Sequence, residues 1–114
     1  MRKSSAPALS HRPSLTDQVD ESSANAVLDL IELEAANHAR CKAKALHATT
    51  ASERISWLSA ALESAHGAAE MAGRLREFHP DAADRIINRW RDEAANLAVR
   101  RHEVVENPKA ELIV

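Results

Sequence analysis

Alanine supplies 23 of the 51 apolar residues in this 114-residue chain. Leu, Ile, Val and Phe together number 23, about 20 % of the chain, which sits at the edge of what a packed globule needs. Alanine buries little area, whereas a fully buried Leu or Ile is worth roughly 1.5–3 kcal/mol. A wide spherical core is therefore excluded. A β fold is excluded too: Tyr is absent, Phe occurs once, and alanine is a poor strand former but the best helix former. One small all-α domain is the class that fits.

The pattern along the chain predicts three long antiparallel helices, a coiled-coil-like bundle spanning 23–107, between a flexible N-terminal tail (1–22) and an apolar C-terminal tail (108–114). The first helix has two candidate starts, Ser14 and Ser23. The later is favoured because Ser22, Ser23 and Asn25 are weak helix formers. It runs from Ala24 to Ala48, with Leu28, Ile31, Ala35, Ala39, Ala43 and Leu46 on one stripe. Thr50-x-x-Glu53 reads as a capping box for a second helix, Ala51 to Glu77, whose seam is Ile55, Leu58, Leu62, Ala65, Ala69 and Ala72. Both glycines, Gly67 and Gly73, lie in this helix. Each costs about 1 kcal/mol relative to alanine, and close approach of a neighbouring helix is the expected reason for them. Pro80 and Asp81 suit the start of a third helix, Asp81 to Glu106. Its stripe is Ala83, Ile86, Ile87, Trp90, Ala94, Leu97 and Val104, and Asn107-Pro108 ends it.

Bulk properties narrow the setting. Fifteen basic and 17 acidic residues leave a formal charge of −2, too balanced for binding driven by electrostatics to nucleic acid or an anionic membrane. A single cysteine, Cys41, forms no internal disulfide and points to a reducing, cytoplasmic setting. No apolar run approaches the length of a membrane span. Arg2 and Lys3 are followed by no apolar stretch, so no signal peptide is expected.

Chemistry-bearing constellations are few. There is no phosphate-cradling glycine loop, no nucleophile elbow and no zinc spacing among the six histidines, so enzymatic catalysis is not expected. Glu63-x-x-His66 places a carboxylate and an imidazole on one face of helix 2. Glu32 falls within the apolar arc of helix 1, where a carboxylate is costly unless paired. One reading pairs Glu32 with Lys42 across a subunit boundary. In another, a Glu from one helix plus Glu-x-x-His from the next is half of a carboxylate di-iron site. This resembles ferritin-like proteins, in particular the short encapsulated ferritins that complete such a site between subunits. The resemblance covers three positions, and the family's further acidic and aromatic residues near the site have no counterpart here. It implies an iron site at Glu32, Glu63 and His66. The competing reading places Glu63, His66, Glu70, Arg74 and Glu77 on an ordinary solvated face. Arg85, Arg89, Arg91, Arg100 and Arg101 suggest nucleic-acid binding, but Asp84, Asp92 and Glu93 interrupt the patch.

Interaction remains. Leu30, Leu33 and Cys41 form a second apolar strip on helix 1, and Trp57 lies off the helix 2 seam; a tryptophan outside the intramolecular stripe is a candidate interface anchor. With Ile86, Trp90 and Leu97 these residues are the expected interface. The expectation is a non-enzymatic protein without a cofactor that forms a homo-oligomer, in the simplest case a dimer. It binds and regulates an unidentified protein as an adaptor, inhibitor or chaperone-like factor. The tail Leu112-Ile113-Val114 is a candidate to dock on an exposed strip.

Overall fold

The computed structural model describes residues 15–109, with side chains from 21 to 109. The described residues form three helices: α1 (Leu15–His47), α2 (Ala51–Leu75) and α3 (Pro80–Glu106). They pack as an all-α bundle, and no strand occurs among the described residues. The expected tail docking of Leu112-Ile113-Val114 lies outside them.

The connections follow local chemistry. Thr50 sits in an extended conformation as the N-cap of α2, and its hydroxyl accepts the Glu53 N–H at 3.1 Å. The Glu53 carboxylate reaches back past the cap residue, accepting from the Thr49 N–H at 3.3 Å and the Thr49 hydroxyl at 3.1 Å. The box thus closes one residue earlier than in its standard form. After α2, the amides of Phe78 and His79 both donate to the Leu75 carbonyl at 2.9 Å. Pro80 then starts α3, where its missing N–H costs nothing.

Chain order reverses between neighbours. Ala24 packs with Leu75 and Ala83, and Ile31 with Ala72 and Ile87. Asn37 bonds to Ser64. Hence α1 and α2 are antiparallel, as are α2 and α3, while α1 and α3 run parallel. The middle helix is the spine. Its Ala61, Ala65, Ala68 and Ala72 are fully buried, and methyl side chains allow both flanking backbones to close in. Among the described residues no Cα of α1 comes within 8 Å of one in α3. Large side chains bridge that wider gap.

Two sequence expectations for α1 are corrected. The helix begins at Leu15, well before Ser23. Asp17, Asp20 and Glu21 suit the positive end of the helix dipole, and this outweighs the weak formers that follow. Because Ala24 already meets Leu75 at the end of α2, the first turns of α1 extend past that helix end. Its buried line is also rotated. The inward residues are Ala24, Ile31, His38, Cys41 and Ala45, with Val27, Glu34 and Ala48 half-buried, a repeat of threes and fours. Leu28 and Leu46, assigned to the inner stripe, are 37 % and 51 % exposed, and Ala39 and Ala43 are exposed.

The glycines divide. A Cβ on Gly67 would fall in the space taken by the Glu34 carboxylate, whereas a Cβ on Gly73 would meet nothing within 4 Å. Gly67 makes room for a side chain of α1; the expected close approach at Gly73 is absent.

Candidate functional site in the groove between α1 and α3

His38 occupies a core position, one heptad from both Ile31 and Ala45. Position alone makes this polar ring costly unless its hydrogen-bonding nitrogens find partners. α3 supplies one. The Glu93 Oε2 lies 2.6 Å from His38 Nε2 and 2.9 Å from Lys42 Nζ. An ionised carboxylate only accepts, so His38 Nε2 carries the hydrogen and donates. Burial pulls the Glu93 pKa up. Hydrogen bonding and charge from Lys42, then from His38, outweigh it and hold the carboxylate below its ordinary value.

Trp90 forms the floor beside this clamp. Its ring meets His38 edge-to-face with centroids 5.0 Å apart, a favoured aromatic geometry. The Arg89 guanidinium lies 5.2 Å from the indole centroid, within cation–π range. Above them an open groove of about 630 Å³ runs between the helices, lined by Ala35, Ala39, Lys42, Arg89, Asp92 and Asn96. On the opposite flank of α1, Asn37 donates to Ser64 and accepts from Arg40, and Lys44 lies 6.0 Å from the Trp57 centroid. The clamp joins α1 to α3 with two cationic or polar donors on one carboxylate. The groove presents an apolar floor with charged walls.

The residues singled out from sequence scatter around this site. Trp90, 4 % exposed, and Leu97, fully buried, belong to the main core. Both lie on the stripe that α3 turns onto α2. Cys41 is likewise buried in that core, not on an outer strip. Ile86 is half-buried between the hydrophobic clusters. Trp57 is half-buried and packs against the core. Its position off the expected seam reflects the two packed sides of α2, of which the sequence seam captured one. Leu30 and Leu33 do face outward, at 44 % and 66 % exposed.

Glu32, Glu63 and His66 are all exposed. Glu32 is thus not buried in an apolar arc, and Lys42 bonds to Glu93 within the chain. Among the described residues no three His, Cys, Asp or Glu side chains gather as a metal site. Arg85, Arg89, Arg91 and Arg101 are exposed on α3 and Arg100 is half-buried, with exposed Asp84 and Asp92 interleaved. Asp84 pairs with Arg76 at 2.8 Å. No helix among the described residues is long and apolar enough to cross a membrane.

Sequence reasoning missed the His38–Lys42–Glu93 clamp. The one local signal was the heptad spacing of His38 from Ile31 and Ala45. No protein-family model matches the chain, and neither a curated protein nor a solved structure matches it.

Proposed function

We propose that this chain is a non-enzymatic helical interaction protein that self-associates and binds and regulates a protein partner, in a reducing, cytoplasmic setting. One observation carries the reading. Of the six large apolar side chains left exposed among the described residues, four are leucines of α1: Leu28, Leu30, Leu33 and Leu46. α1 already gives one face to α2 and α3, so leucines on its remaining faces are surface that a partner helix would cover. The buried thiol of Cys41 supports the reducing setting. Size-exclusion chromatography with light scattering tests self-association. A concentration-dependent dimer or larger species is expected; a strictly monomeric, folded chain at every concentration refutes the reading.

A further inference from the structure

The charges of α1 are segregated. Within 27–47, the span that an antiparallel copy centred on its middle would overlap, all three acidic residues, Asp29, Glu32 and Glu34, precede residue 35. Arg40, Lys42 and Lys44 all follow it. Such a helix is complementary to a second copy of itself running the opposite way.

The exposed side of α1 carries a matching seam. Leu28, Glu32, Ala35, Ala39, Lys42 and Leu46 follow at steps of four, three, four, three and four, the spacing of a coiled-coil face. This set lies beside the inner line, not on it. Leu28, Glu32, Ala39 and Leu46 are exposed, and Ala35 and Lys42 half-buried at the lip of the α1–α3 groove. Its order reads alike from either end: leucine, charge, alanine, alanine, opposite charge, leucine.

We infer that two copies of this chain pair through antiparallel α1 helices about a two-fold axis level with residue 37. This rests on the self-association proposed above and names its surface. Leu28 then packs on the partner's Leu46, Glu32 faces the partner's Lys42, and Ala35 meets the partner's Ala39, each pair occurring twice as two-fold symmetry requires. The central alanines let the two backbones approach, and the adjoining groove receives the flank of the incoming helix. Lys42, still bonded to Glu93, serves two carboxylates, for which an ammonium has donors enough. Leu30 and Leu33 stay outside this seam and remain free for a different protein.

Two measurements on the full chain test it. The double variant L28C/L46C, mildly oxidised, should yield a disulfide-linked dimer. Each single variant should not, because Leu28 and its symmetry mate lie about 27 Å apart along the seam. The native chain with its buried Cys41 is the control. Independently, Glu32→Lys, an exposed change whose folding is checked by circular dichroism, should raise the dimer dissociation constant about tenfold at low salt and less at high salt. Both results are required. A native dimer with no disulfide in the double variant, equal crosslinking of a single variant, or indifference to Glu32→Lys overturns this pairing while self-association stands. A native chain that stays monomeric overturns both.

Discussion

Replacing Glu93 by alanine removes the carboxylate that His38 and Lys42 share. The His38 side chain is 11 % exposed, so its Nε2–H loses its acceptor, and only water entering from the groove that His38 lines could replace it. An unsatisfied buried donor costs about 1–3 kcal/mol. The lost Lys42 pair, between side chains 28 % and 23 % exposed, adds no more than about 1 kcal/mol. A total near 2–3 kcal/mol is expected, a large part of the roughly 5–15 kcal/mol that stabilises a small domain. Glu93→Gln keeps the shape and one acceptor oxygen and should cost about 1 kcal/mol. The double variant H38L/E93L should return to within about 1 kcal/mol of the native chain, because an apolar pair of similar volume beside Trp90 replaces a desolvated one. Lys42 can then extend its ammonium to solvent. Urea unfolding followed by far-ultraviolet circular dichroism, at one fixed protein concentration because self-association adds to apparent stability, measures all three. Glu93→Ala within about 0.5 kcal/mol of native, a change ordinary for a surface site, would refute the account of the clamp. So would H38L/E93L at least as unstable as Glu93→Ala.

The glycines give opposite expectations. Gly73→Ala adds a methyl in open space and should stabilise by about 1 kcal/mol, whereas Gly67→Ala must push the Glu34 carboxylate aside and should gain less or lose; equal gains in a thermal melt would contradict the packing at Gly67. Leu97→Ala should cost about 2–5 kcal/mol by the same amount at dilute and concentrated protein, since Leu97 is fully buried within one chain; a loss that appears only where the protein associates would place Leu97 at an interface after all. Glu93 and Glu53 both have pKa values below the ordinary 4.5 in the folded chain. Their stabilisation is therefore complete above about pH 5 and is lost as pH falls through the lowered values. Melting temperature should drop on acidification below that point, and less steeply in Glu93→Gln; identical slopes would separate Glu93 from the acid response.

Legibility tracked how far each element's burial depends on residues near in sequence. For α3, six of the seven stripe residues, Ala83, Ile87, Trp90, Ala94, Leu97 and Val104, form the buried face, with Ile86 half-buried beside them, because the stripe is regularly spaced and interrupted only by Arg101. Its start and that of α2 were equally plain, since Pro80 and the Thr50–Glu53 cap act within one turn. α1 misled because hydrophobicity ranks Leu28 and Leu46 above Cys41 and His38, yet the latter are inside. What makes His38 affordable is Glu93, 55 residues away, and no local pattern announces that partner. Gly67 was misread for the same reason: its neighbour is a Glu34 carboxylate on another helix, not a close-packed backbone.

Polar matches have a role that an alanine-lined bundle cannot assign to packing. One methyl resembles the next, so sliding α1 along α2 by a turn would exchange alanine contacts for similar ones at little cost. The inner line of α1 and its margins instead place Glu34 over Gly67, Asn37 on Ser64 and His38 with the neighbouring Lys42 on Glu93, and each of these matches exists in one register only. Burying them contributes little net stability, but misplacing them leaves desolvated polar groups without partners, which disfavours every alternative alignment. Leucines could have filled the same line and made a tighter three-helix unit. They lie instead on the outer faces of α1, where a second chain can use them. If this is the reason for the polar inner line, H38L/E93L should recover its stability while losing uniqueness, with broader and less dispersed amide resonances than the native chain. Sharp, fully dispersed spectra from that variant would show that the alanine contacts alone set the register.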